Sequence, residues 1–241
     1  MKLLRKYDGK LDWRRIVGLI VLVSLALSIV FSVVNVITSP VENAAGEHDM
    51  LKSDYMLMIT QCALGIIVMA VPSVIEKRFS LRLPNFMYIL YFIFLYCAIY
   101  LGEVRSFYYG FAYWDTVLHA MSAAMLGAFG FIIVETIGNS KRCGLTISPG
   151  FIAFFAFCFA VTVGAVWEIY EYLADGILGF NMQKFALKGG ENLVGRAALN
   201  DTMEDIITDA LSALIISLIG YFSYKSKDKN KKVQCECEIV K

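Results

Sequence analysis

The chain has 241 residues, of which 58% are hydrophobic and 18% charged, and its mean hydropathy is +0.62. Soluble domains run nearer half apolar and a quarter charged, so composition argues against a water-soluble globular domain and for a bilayer as solvent. A formal net charge of +1 gives no basic excess for nucleic acid to read. The cysteines do not space as a disulfide framework: Cys62, Cys97 and Cys158 sit singly in apolar runs as small core residues. Cys235 and Cys237 lie in a Lys-rich tail, where a solvated tail is the simpler reading than a metal or acylation site.

A helix needs about 20 apolar residues to cross a hydrocarbon core about 30 Å thick, and six stretches qualify. A basic segment, residues 1–15, precedes the first span at 16–37. That run is longer than the apolar part of a signal peptide, about 7–15 residues, and reads as a span, not a cleaved leader. The second span is 55–75, with Pro72 late enough to kink or end it. The third is 83–102, with Pro84 placed for a first helical turn. The fourth is charge-free only over 120–134, too short at 1.5 Å per residue. It must grow backwards through His119 and Asp115 to an interface anchor at Trp114 and Tyr113, giving 113–134. The fifth is 149–172, opened by Ser148 as N-cap and Pro149 at the first helical position. The sixth is charge-free only over 210–224 and is stopped by Lys225, Lys227 and Lys229, so it grows back through Asp209 and Asp205 to 202–224. A Lys-rich tail, 225–241, follows. The expectation is an all-α polytopic membrane protein, a single six-helix membrane domain over 16–224.

Lysine and arginine mark cytoplasmic loops. They gather before the first span (Lys2, Arg5, Lys6, Lys10, Arg14, Arg15), between the second and third (Lys77, Arg78, Arg82), between the fourth and fifth (Lys141, Arg142), and in the tail. The alternate connections, 38–53, 103–112 and 176–200, are poorer for their length, holding Lys52, Arg105 and the trio Lys184, Lys188 and Arg196. Both termini are therefore expected in the cytoplasm, with Tyr108, Tyr109, Phe111, Tyr113 and Trp114 in an outer aromatic belt together with Tyr170 and Tyr172.

On that topology the acids converge on the outer half: Glu103, then Asp115 with His119, then Glu168, Glu171 and Asp175, then Asp201, Glu204, Asp205 and Asp209. The spacings are helical, i to i+3 or i+4, so Asp115 shares a face with His119, and Glu168 with Glu171. Asp201, Asp205 and Asp209 make a stripe about 12 Å long. Spans four and six also resemble each other: Asp115-x-x-x-His119-Ala120-Met121-Ser122-Ala123 aligns with Asp205-x-x-x-Asp209-Ala210-Leu211-Ser212-Ala213. Small residues after each ionisable pair allow close helix approach. A charge at mid-bilayer costs about 2.5–3.5 kcal/mol, and spans four to six hold no lysine or arginine to offset it, although Arg105 and Arg196 lie in neighbouring loops. Simpler roles exist for some of these residues. Asp201 with Glu204 fits a capping box, Asp175 before Gly176 fits a helix end, Glu103 fits a rim pair with Arg105, and His119 fits a hydrogen-bonded structural histidine. His48, in an outer polar loop, is assigned nothing.

Trp114-Asp115-Thr116-x-x-His119-x-x-Ser122, Trp167-Glu168-Ile169-Tyr170-Glu171-Tyr172, Asp201-Thr202-Met203-x-Asp205-x-x-x-Asp209 and Leu178-Gly179-Phe180-Asn181-Met182-Gln183 together resemble the YjdF-type family of uncharacterised bacterial membrane proteins, over about residues 100–224. A weaker similarity is to VanZ-like membrane proteins, from which the chain departs at Asp209 and Ser212. The resemblance implies a polytopic protein of a bacterial plasma membrane and brings no reaction with it.

Three functions compete. The first is an outward-facing divalent-metal site with Asp115, His119, Glu168, Glu171, Asp205 and Asp209 as ligands, which would activate water against a lipid or envelope precursor. Oxygen donors suit Mg²⁺, Mn²⁺ or Ca²⁺, and one histidine also allows Zn²⁺ or Fe²⁺. His119 would bind through one ring nitrogen, leaving the other to a second acceptor. The second is a proton- or ion-coupled carrier of small solutes, for which the acids stop halfway and six spans would have to dimerise. The third is a non-catalytic membrane partner whose polar cluster locks helices together.

Overall fold

The computed structural model describes residues 12–38, 52–138, 147–187 and 191–239, and among them it is helical with no strand beyond an isolated antiparallel bridge, Ala186 to Asn192. Six helices are long and apolar enough to cross a membrane: Trp13–Thr38, Lys52–Phe79, Asn85–Val104, Trp114–Gly138, Pro149–Leu178 and Arg196–Ser226. They are called spans one to six below. The chain forms two compact units, one of residues up to Leu118 with Glu171–Asp201, the other of His119–Tyr170 with the chain from Thr202 on. Residues 1–11 of the basic N-terminus, His48, Lys141, Arg142 and Lys188 lie outside the described residues, as do the side chains of Cys235 and Cys237.

In the first unit, span one buries one stripe, Val21, Leu25, Ser28 and Ser32, and exposes apolar residues such as Leu27, Val30 and Phe31 on its other side. That is the pattern of a helix whose outer solvent is hydrocarbon. Ser24 and Ser28 donate back to carbonyls one turn earlier, at 2.8 Å each, which leaves no hydroxyl unsatisfied in an apolar setting. The stripe packs on Cys62 of span two and on Tyr88, Phe92, Leu95 and Ile99 of span three. Cys62 is thus the small core residue its sequence context suggested.

Pro72 interrupts span two: one helix ends at Val68, and a second, Val71–Phe79, starts with the proline in its first turn, where a missing N–H costs nothing. Pro84 differs from expectation. It stands before the third span in extended conformation, ψ 144°, and the helix opens at Asn85. The reason is the Glu76 carboxylate, which accepts the Leu83 N–H at 2.8 Å and the Tyr88 hydroxyl at 2.6 Å and so holds the connection straight up to the proline. Span three changes character at Tyr96, continuing as a π-helix to Val104, with the Arg105 N–H reaching back to the Tyr100 carbonyl at 3.0 Å.

In the second unit the helices approach closely. A Cβ on Gly130 would lie 2.8 Å from the Ala156 Cα, so spans four and five meet almost backbone to backbone. Phe131, Val134, Ile152 and Ala156 form the core there. Tyr224 stacks on Phe131, centroids 5.5 Å apart, and donates to Glu135 at 2.7 Å. Ser148 caps span five as expected, its Oγ accepting the Phe151 N–H at 3.3 Å.

Candidate metal and ion-pair sites

Each unit brings a group of acids together. In the second unit spans four, five and six contribute His119, Glu168, Asp205 and Asp209. All are buried, at 8%, 4%, 3% and 3% exposure, so none of these ionisable groups faces lipid. His119 is the hub. Its Nδ1 lies 3.3 Å from Asp209 Oδ1, a hydrogen bond when the proton is on Nδ1, which then donates, or on the Asp209 carboxyl, which then donates to Nδ1. Its Nε2 lies 3.9 Å from Glu168 Oε1 and 3.7 Å from Asp205 Oδ2, beyond hydrogen-bond length.

Small residues make this convergence possible. Gly164 of span five faces Asp209, and a Cβ there would enter the van der Waals shell of its carboxylate. Ala123 and Ala213, matched in the alignment of span four with span six, are 1% and 0% exposed. The equivalent positions therefore carry equivalent packing duties, one turn past His119 and Asp209. The His119 imidazole and the Asp205 carboxylate belong to a group of side chains close enough to hold a metal ion.

The first unit builds a different site. Span five runs past Glu171 to Leu178, and Gly179, at φ +69°, ends it, a conformation glycine reaches at no steric cost. Asp175 is thus a last-turn residue, and its carboxylate accepts the N–H groups of Met182 at 2.7 Å and Gln183 at 3.0 Å. Asn181 closes the loop reciprocally, donating to the Ala186 carbonyl at 2.7 Å and accepting its N–H at 2.9 Å. This frame presents Lys184, which donates to Asp115 and, at 3.1 Å, to Asp201, with its ammonium 5.5 Å from the Tyr108 ring centroid. Burial pushes the Lys184 pKa down, but the Asp115 and Asp201 charges outweigh it and hold the group above the ordinary lysine range. A lysine so held stays an ammonium and serves as the counterion of Asp115 and Asp201.

Three simpler readings are corrected here. Asp201 is not an N-cap, because span six begins at Arg196; it lies inside the helix and serves Lys184. The charges acting on Glu103 are Lys184, Asp115 and Asp54, and Arg105 is exposed. The compensating cation comes from Lys184, whereas sequence reasoning looked to Arg105 and Arg196. Lys184 was legible only as a loop charge, although it directly follows the Gly179–Gln183 stretch that carries part of the family resemblance. Of the six expected ligands, the structure brings His119, Glu168, Asp205 and Asp209 together in the second unit. Asp115 and buried Glu171 belong to the first.

Among known proteins, the chain matches the family described as "Predicted membrane protein (DUF2238)" over residues 19–226. An uncharacterised protein of Thermotoga maritima is 30% identical over 122 residues, a stretch covering 50% of this chain and 54% of that relative. The match thus spans about half the relative's length. No solved structure matches. These matches agree with the YjdF-type resemblance and lend nothing to the VanZ-like one. With a family match that takes in all six spans, this chain belongs to the DUF2238 family of predicted membrane proteins.

Proposed function

We propose that the second unit holds a divalent cation between His119 Nε2, Glu168 and Asp205, and that Asp209 orients the imidazole from its other side. The observation that carries this is the direction of His119. With Nδ1–H donating to Asp209, the Nε2 lone pair faces two carboxylates at 3.7 and 3.9 Å. Three groups able to donate electron pairs converge there, an arrangement that a shared cation would stabilise. Those separations are near the edges of about 3–4 Å that metal–ligand bonds of about 2.0–2.6 Å produce. A carboxylate on the far nitrogen of a ligating histidine is the usual outer support of such sites. An imidazolium explains the geometry less well, since 3.7–3.9 Å exceeds an N–H···O bond.

In this reading the site opens outward, as the loop charges indicate, at a depth suited to a lipid or envelope-precursor substrate in a bacterial plasma membrane. The bound ion would supply a Lewis acid and an activated water. The test is metal content of purified protein after supplementation with each of Mg²⁺, Mn²⁺, Ca²⁺, Zn²⁺ and Fe²⁺. About one ion per chain is expected in wild type, and none in Asp205→Asn or His119→Ala protein that still elutes as a folded species. Wild type that retains no metal under any supplement refutes the site. Proton flux into liposomes would then identify the carrier alternative.

A further inference from the structure

We propose that the first unit binds one anionic phospholipid, its acyl chain in a groove between spans one and three and its phosphate at Arg14. The groove, about 130 Å³, is lined by Val17, Ile20, Val21, Ile93 and Tyr96. It is open on the side where Ile20 and Ile93 are exposed, which in a membrane is the side of the lipid tails. Its volume admits a run of several methylenes. Apolar walls alone would accept any acyl chain; the groove's end selects the headgroup. Arg14, Val17 and Val21 follow at i, i+3 and i+7 on one helical face, so Arg14 stands about 4.5 Å along the axis from Val17.

Arg14 is fixed before any lipid arrives. Its guanidinium carbon lies 3.2 Å from the Tyr88 ring centroid, and Nη2 donates to Ser73 Oγ at 3.4 Å. A guanidinium carries five N–H donors in a planar fork that fits phosphate. Neighbouring Arg15 is exposed and pairs with Asp12 at 2.9 Å. Lys77, Arg78 and Arg82 belong to the same end, through the Ser73 and Glu76 contacts, and are exposed. Five cations against Asp12 and Glu76 leave this end positive, and Trp13, 60% exposed, sits beside Arg14 as an interfacial anchor. Charge therefore favours an anionic headgroup over a zwitterionic one. The site depends neither on the metal proposal nor on which leaflet this end occupies.

The probes are spin-labelled phosphatidylglycerol and spin-labelled phosphatidylcholine in phosphatidylcholine vesicles containing the full-length protein. Electron spin resonance then reads the motionally restricted fraction. Phosphatidylglycerol should be restricted about fivefold more than phosphatidylcholine, the factor expected for one basic residue near an anionic lipid. The preference should fall severalfold in Arg14→Gln, and the restricted phosphatidylglycerol component should fall in Ile20→Phe, which narrows the groove from its exposed wall. Equal restriction of the two lipids by wild type, an undiminished preference in Arg14→Gln, or an undiminished restricted component in Ile20→Phe, with the variant eluting as folded protein, overturns the proposal.

Discussion

Asp115 and Asp201 in the first unit face an ammonium that the chain itself delivers on Lys184, whereas Glu168, Asp205 and Asp209 in the second face an imidazole. Both arrangements answer the cost of carboxylates at membrane depth, about 2.5–3.5 kcal/mol each for an ionised group. The ammonium is a committed counterion with no lone pair to offer. An imidazole has a lone pair, and even when protonated it balances one carboxylate of three. The first cluster therefore carries its own counterion, whereas the second leaves room for the cation proposed above, though the residue types are nearly the same.

The break that bears most directly on the comparison comes from Gly164→Ala. The added methyl must displace Asp209, because its position coincides with the carboxylate. His119 then loses the acceptor on Nδ1, and metal affinity should fall about 10–100-fold, the usual cost of losing an outer support. Competition against a fluorescent chelator measures it. The helix itself gains up to about 1 kcal/mol from alanine over glycine, so loss of affinity in protein of undiminished stability would separate site from scaffold. Unchanged affinity would mean that Asp209 does not orient His119.

Lys184→Met should come next, with an expected loss of about 2–4 kcal/mol. The estimate lies between the small worth of an exposed pair and the 3–5 kcal/mol of a fully buried one, since the Lys184 side chain is 26% exposed. Unfolding in detergent micelles gives the number, and faster amide exchange at Met182 and Gln183 localises it. The pH dependence has a definite sign. A lysine raised in the folded state stabilises fully below its unfolded pKa, about 10.4, and loses that contribution as pH rises through the higher folded value. The gap between wild type and Lys184→Met should stay constant from about pH 7 to 10 and close above it. A gap that closes below pH 9 would remove the ion pair as its cause.

The six spans, the N-cap at Ser148 and the face shared by Asp205 and Asp209 were legible because helical period, apolar length and capping chemistry are local properties of the chain. The second-unit cluster was legible for the same reason: His119, Glu168 and Asp205 are ionisable residues inside apolar runs, and burial leaves them little choice but one another. Lys184 was not legible as a partner, because it reaches Asp115 only through a loop conformation fixed by Asp175, Asn181 and a left-handed residue, φ 46° at Lys184 itself. The π-helical end of span three had no signal either, since a shift from i−4 to i−5 bonding leaves composition untouched. Gly164 was visible only as a glycine in an apolar helix. Its role depends on which residue of another helix stands opposite.

The smallest expected effect tests whether the second unit's chemistry is confined to one end of its helices. Tyr224 donates to Glu135 at 2.7 Å and stacks on Phe131. Tyr224→Phe removes the hydroxyl and keeps the ring, so stacking and apolar burial survive. The lost hydrogen bond is exposed and should cost about 0.5–1 kcal/mol, the lower part of the range for a net contribution, read as a small shift in detergent unfolding. Metal content should not change, because Glu135 and Tyr224 lie some four helical turns along spans four and six from His119 and Asp209, about 22–24 Å at the helical rise. If Tyr224→Phe instead lowers metal content, the two ends communicate along these helices. Glu135 and Tyr224 would then be the inner half of a proton path that begins at His119, and the carrier reading would gain the inner residues it lacked in sequence.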